Sequence, residues 1–183
     1  GIRTAMHEAA RGGEQGVNET RFRLDTDATM PHTIEAPKSL GSNRQAYLKA
    51  SNTEAGDHFG SSVAISGDTL VVSAPDEASN AIGVNGDQSD NSAIQAGAAY
   101  VFVRDHTNWI QQAYLKSSNT REFDGFLLFD LIPDSDLEFG RSVAIFGKTV
   151  VVGKEGDLSN ATSVNGDQSN TEAPFSGAAY IFT

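Results

Sequence analysis

The sequence predicts an all-β fold assembled from repeated four-stranded units. Three observations carry that expectation. They are an ungapped internal duplication, two-residue glycine turns between β-branched runs, and the lack of a sustained apolar period of 3.6 outside a short stretch near Ala5 to Arg11. The segment Gln45-Ala46-Tyr47-Leu48-Lys49-Ala50-Ser51-Asn52-Thr53 returns as Gln112-Ala113-Tyr114-Leu115-Lys116-Ser117-Ser118-Asn119-Thr120, 67 residues later. The stretch from Phe59 to Phe102 returns as Phe139 to Phe182, 80 residues later, with about 25 of its 44 positions identical. The two offsets differ by 13, which places an insertion at residues 121–133 of the second copy.

Each copy reads as short strands joined by turns. Residues 62–66 alternate small and apolar side chains, Gly67-Asp68 turns the chain, and residues 69–73 are a β-branched run. A Gly-X pair between two such runs is the signature of a type II′ hairpin, in which only the first turn residue needs a positive φ. The second copy has Gly147-Lys148 in that turn, so the glycine stays and its neighbour changes. A long polar loop (76–96) precedes a third strand at 98–103, and a fourth at 109–116 ends where the next copy begins. Four antiparallel strands per repeat, each repeat ending at the start of the next, describe the blade of a β-propeller. The expectation is two open-edged blades: a first repeat over residues 44–120 with a leading strand at 45–50, and a second over 121–183 without a fourth strand. Residues 1–43 are polar, punctuated by Gly and Pro, and read as an extended arm.

Phe59-Gly60, Ser62-Val63-Ala64, Val71-Val72-Ser73-Ala74-Pro75 and Gly97-Ala98-Ala99-Tyr100-Val101-Phe102 resemble the FG-GAP repeat, which forms the propeller head of integrin α subunits. The Gly-Asp-Thr hairpin and the Val-Asn-Gly-Asp-Gln loop are closest to the version found in bacterial extracellular proteins. The resemblance spans about residues 44–183. It weakens in the second copy, where Gly153-Lys154-Glu155 replaces Ser73-Ala74-Pro75. It implies a non-catalytic extracellular module for adhesion, recognition or structure. It implies Ca²⁺ only where the family's Asp-rich hairpin is present, and here that hairpin has shrunk to two residues.

Composition removes other classes. A net charge of −11 repels phosphate backbones, so nucleic acid is not an expected partner. Zero Cys excludes disulfides, thiolate catalysis and Cys-ligated metals. No run approaches 18 apolar residues, so no membrane-spanning helix is expected. No secretory leader is recognisable at residue 1, which suits a removed export signal or none.

The candidate metal ligands lie in the polar loops. Asn85, Asp87, Ser89 and Asn91 place an oxygen at every second residue around a Gly-kinked turn, and Asn165, Asp167, Ser169 and Thr171 repeat the pattern. Alternate oxygens of this kind wrap Ca²⁺, the one cofactor these residues suggest. The twelfth position is Ala96 or Ser176, not the bidentate Glu of an EF-hand, and the charge count is thin. The competing reading is a set of Asx turns closed by side-chain-to-backbone hydrogen bonds.

Enzyme signatures fail. Ser62 and Ser142 follow glycines as in half of a nucleophile elbow, but Ala64 and Ala144 stand where the second Gly belongs and a strand follows. The four His are scattered, and Asp134 with Asp136 fits surface acidity. Asn18 and Asn160 head N-glycosylation sequons.

The strand order then suggests assembly. The repeat region opens on an unmatched fourth strand and closes on an unmatched third, so each supplies what the other lacks. Three expectations follow: a piece of a longer propeller, several copies in one ring, or a filament in which each chain donates residues 45–50 to a neighbour. Gln45, Tyr47 and Leu48 of the donated strand, with Phe123, Phe126, Leu127, Leu128 and Phe129 of the apolar insertion, are the interface candidates. The expected partner is a second copy of the chain. The alternative is a Ca²⁺-dependent, lectin-like module that uses the two polar loops to bind a cell-surface or carbohydrate ligand.

Overall fold

Two antiparallel sheets make up the described part of the protein. This is a computed structural model, and it describes residues 45–121 and 138–183. The first sheet holds β1 (Val63–Ser66), β2 (Thr69–Ala74), β3 (Ala98–Asp105) and β4 (Asn108–Leu115) in sequential order. The second holds β5 (Phe139–Phe146), β6 (Thr149–Lys154) and β7 (Ala178–Phe182), again in order, with β7 at its edge. No helix occurs among the described residues. The all-β, open-edged blade architecture expected from the sequence is therefore the observed one.

The hairpins form as their sequences dictate. Ser66 pairs with Thr69 across Gly67-Asp68, and Phe146 with Thr149 across Gly147-Lys148. Gly67 and Gly147 both have φ of 58°, while Asp68 and Lys148 stay at negative φ, which is the sign pattern of a type II′ turn. β2 then pairs with β3, and β6 with β7, in the same register: Val72↔Tyr100 corresponds to Val152↔Tyr180.

One expected strand is absent. Residues 45–50 belong to no strand, although their duplicate runs through β4. The reason is pairing: β4 exists because β3 supplies a row of backbone partners, and no strand among the described residues lies beside residues 45–50 to do the same. Residues 1–43, the insertion beyond Arg121 with its five interface candidates, and Asp134 and Asp136 lie outside the described residues.

The blades stack front to back. One face of the first sheet presents Val71, Ala99, Val101 and Leu115, and onto it pack Phe139, Val150 and Val152 from the opposite face of the second. Fully burying a side chain such as Phe139 contributes about 1.5–3 kcal/mol. The backbones come close here. A Cβ added at Gly97 would sit 2.0 Å from the Phe139 carbonyl oxygen, so no other residue fits. Hydrogen bonds fix the stacking: Phe139 N donates to Ala96 O at 3.2 Å, Val143 N to Ser62 Oγ at 3.2 Å and Gly147 N to Ser66 Oγ at 3.1 Å.

Candidate functional site

In the first blade, β4 lies in a slot with two walls. On one side it pairs with β3 through Ala99↔Leu115, Tyr100↔Tyr114 and Val101↔Ala113. On the other, its end is held by the loop at Gly83–Asn85. Val84 bridges Leu115, Asn85 N donates to Tyr114 O at 2.8 Å, and Lys116 N donates to Gly83 O at 2.8 Å. Tyr114 N donates in turn to the Asn85 side-chain oxygen at 2.9 Å. Asn85 takes a φ of 54° to reach this position, a left-handed conformation that Asn tolerates better than most residues.

The side chains of that strand enter a buried polar network. Lys116 is fully buried, and its ammonium meets Glu77 Oε2 at 2.8 Å, itself 1% exposed. Asn52 Nδ2 donates to the other Glu77 oxygen at 2.7 Å, and Asn52 Oδ1 accepts from the Tyr100 hydroxyl at 2.7 Å. The Tyr114 hydroxyl bonds Ser79. Burial pushes Lys116 below the ordinary lysine range, partly offset by the Glu77 charge, and it pushes the Tyr100 and Tyr114 hydroxyls up. Groups this deep are stable only because every one has a partner.

The second blade repeats the receiving parts without the strand. Asn119 Nδ2 donates to Asp157 Oδ2 at 2.7 Å and Tyr180 Oη donates to Asn119 Oδ1 at 2.7 Å, as Asn52, Glu77 and Tyr100 do in the first blade. Asn165 already has a φ of 55°. Nothing among the described residues pairs with the free edge of β7, however, and the side chains there record it. Val101 is 7% exposed, whereas Ile181 at the same register position is 69% exposed. Val84 is 54% exposed and Val164 is 92%. The cation is also supplied differently. Lys154, from β6, stands where the first blade has Ala74, and its ammonium bonds Asn119 Oδ1 at 2.8 Å and lies 3.5 Å from Asp157 Oδ2. Burial lowers the Lys154 pKa, against the pull of Asp157. Burial raises the Asp157 carboxyl, but Asn119, the Ser159 N–H and Lys154 together outweigh it and the net shift is downward.

The outer face of the second blade is open as well. A cavity of about 200 Å³ is bordered by Ser142, Gly153, Gly177 and Ala178. At the corresponding place on the first blade, Gly140 approaches so closely that an added Cβ would lie 2.7 Å from Ala98 O. Phe146, 88% exposed, and Ile181 are also uncovered on this blade. The opposite face of the first blade exposes Val63 and Ile65.

The predicted calcium residues are placed as follows. Asp87 Oδ1 accepts from Ser89 N at 2.9 Å and from its hydroxyl at 2.7 Å, an Asx turn that holds the carboxyl below its ordinary range. Asp167 does the same with Ser169 N at 2.8 Å. Asn85 faces Tyr114, and Asn91 donates to both Glu54 oxygens at 2.8 and 2.7 Å, so the four residues of the first loop face three different partners. Asn165 and Thr171 are exposed. No cluster of three or more His, Cys, Asp or Glu suited to a metal occurs among the described residues. Of the interface candidates that are described, Gln45 and Tyr47 are exposed and Leu48 packs partly against the first core.

A second opening, about 440 Å³, lies between the blades with His58, Ser61, Asp76 and Arg141 on its walls. His58 Nδ1 bonds Asp76, but the Ser61 hydroxyl donates to the His58 carbonyl at 2.7 Å and not to its ring. Ser62 Oγ accepts from the neighbouring blade and Ser142 lies within β5. His106 is exposed beside Asp105.

Residues 43–102, about a third of the chain, match the model of the FG-GAP repeat. The second blade is tied to it by the internal duplication. No match was found among curated proteins or among solved structures. FG-GAP repeats build β-propeller-type modules, typically extracellular and typically structural or binding units without catalytic activity. No helix among the described residues is long and apolar enough to cross a membrane.

Proposed function

We propose that this chain is a non-enzymatic extracellular structural or adhesive module that assembles with further copies of itself by strand addition. The observation that carries the reading is the open edge of β7 in a blade whose receiving parts are otherwise formed. The committed occupant is residues 45–49 of a second copy, because they duplicate the segment that fills the same slot in the first blade. The offsets give the register: Ala179 opposite Leu48, Tyr180 opposite Tyr47, and Ile181 opposite Ala46. Tyr47 of the second copy then reaches Ser159, and its backbone pairs with Asn165, as Tyr114 does with Ser79 and Asn85.

Two further surfaces support the same joint. Phe59-Gly60 of the incoming copy corresponds to Phe139-Gly140 and fits the cavity beside Gly177. Its exposed Val63 and Ile65 come to lie over Ile181 and Phe146, which covers apolar surface on both sides. The joint is head-to-tail, so it closes into a ring or continues as a filament according to the rotation per step. One detail departs from the internal junction: Phe146 replaces Ser66, and the hydrogen bond that Ser66 accepts has no equivalent.

Sedimentation over a range of concentrations tests the reading. Mass must rise with concentration, and a peptide spanning residues 44–50 must reverse the rise. A chain that stays at 19.4 kDa throughout contradicts it.

A further inference from the structure

We propose that Lys154 makes the open blade charge-selective, holding the joint between copies weaker than the junction inside the chain. The inference rests on the strand-addition reading above and names the residue that sets its strength. In the first blade the Lys116 ammonium pairs with Glu77, with the buried Asp57 carboxylate also acting on it, and the β2 residue that corresponds to Lys154 is Ala74. The second blade has reassigned these parts. Asp157 replaces Glu77, Lys154 replaces Ala74, and Ser117, whose hydroxyl lies 3.5 Å from the Lys154 ammonium, replaces Ala50. The Ala–Ala contact of one blade has become a Lys–Ser contact in the other. Lys154 thereby neutralises Asp157 from within its own blade, at the place where the first blade relies on its fourth strand.

An incoming strand changes the count. Lys49 aligns with Lys116, so its ammonium arrives at Asp157, where Lys154 already sits. Asp157 has also committed its oxygens to Asn119 and to the Ser159 N–H. Two ammonium groups then share one carboxylate in a site closed to water, and a buried cation without its own counter-charge is strongly disfavoured. The first blade does not meet this conflict, because Ala74 brings no second ammonium to Lys116, which faces Glu77 directly and Asp57 at longer range. Specificity of this kind comes from a repulsive element as much as from attractive ones.

The test measures the self-association constant by sedimentation for wild type, Lys154→Ala and Lys49→Gln. Lys154→Ala restores the arrangement of the first blade and lets Lys49 pair with Asp157. Lys49→Gln removes the second cation from the incoming strand at an exposed position, and a urea midpoint measured beside it reports any effect on the fold through Asp57. Each substitution is expected to tighten association at least tenfold. The double variant is expected to gain less than the product, because either change alone removes the conflict. If wild type associates and neither single variant is tighter, the charge selection is overturned and strand addition stands. If no protein associates at any concentration, both are overturned.

Discussion

The two blades share about 25 of 44 aligned residues and the same register, and among the described residues the second lacks the fourth strand. Tyr100 is buried and Tyr180 is half-exposed; Ala99 is buried and Ala179 exposed; Val101 is covered and Ile181 is not. Since β2 with β3 and β6 with β7 pair identically, the difference is the contribution of the fourth strand and of the next blade's packing. The comparison teaches that a blade of this type is not a self-sufficient unit. Its third strand acquires a dry environment when a fourth strand closes the edge and the next blade packs on its face.

The largest effect is expected where closure has buried a charge. Glu77→Ala removes the carboxylate in direct contact with the buried Lys116 ammonium, and the loss should be about 3–5 kcal/mol in urea unfolding. Asp157→Ala at the open blade should cost less, roughly 1–3 kcal/mol, because the pair is longer and the edge admits water. Equal losses would show that the open blade is as dry as the closed one.

Next comes the paired position on the third strand. Val101→Ala should destabilise by about 1.5–3 kcal/mol, the value of a buried Val. Ile181→Ala should stay within about 0.5 kcal/mol in the dilute monomer, as exposed sites do, and should weaken association instead. A large loss of monomer stability at Ile181 would mean that the edge is already covered.

A third difference is acid sensitivity. Against burial, hydrogen bonds from Asn119 and the Ser159 N–H and the Lys154 charge hold the Asp157 carboxyl below the ordinary 3.8, so its contribution to stability is complete above that pH. That contribution is lost as pH falls through the depressed folded value, because the unfolded chain then binds the proton more readily. Urea midpoints between pH 5 and pH 2 should fall less steeply for Asp157→Asn than for wild type. The smallest effect is expected from the polar loops. Their oxygens are engaged in Asx turns and in bonds to Tyr114 and Glu54, so adding Ca²⁺ or EGTA should leave the melting temperature within experimental scatter. A clear rise with Ca²⁺ would revive the loops as ligands.

Local signals carried most of the fold. Gly67 and Gly147 announced their hairpins, and the repeat at offset 80 carried the blade pairing from one copy to the other. The slot was not legible, because its second wall joins Val84 and Asn85 to residues about thirty positions away, and no periodicity marks a loop that acts as a strand's neighbour. Asn85 was picked out as an oxygen donor to a cation, whereas its oxygen serves the Tyr114 backbone. The network of Asn52 with Glu77 and of Asn119 with Asp157 escaped notice because the carboxylate differs between the copies. The Ser-Asn pair kept at offset 67 and the Tyr kept at offset 80 were the available clues. Lys154 was visible only as a departure from Ser-Ala-Pro. Its meaning depends on two residues, Ala50 and Ser117, that lie outside the offset-80 alignment.

The central claim is that residues 45–49 of one copy occupy the edge of β7 in another, and a cross-link reads it directly. The chain has no Cys, so any disulfide must come from introduced residues. One protein carries Ala46→Cys and a second carries Ile181→Cys, the pair that corresponds to Ala113 and Val101. Directly opposed antiparallel residues lie about 4.5–5.5 Å apart, within disulfide range. Mixed and oxidised, the two should give a heterodimer on a non-reducing gel, while Ser66→Cys in place of Ala46→Cys should give none. Monomers alone, or equal cross-linking from both mixtures, would contradict the account.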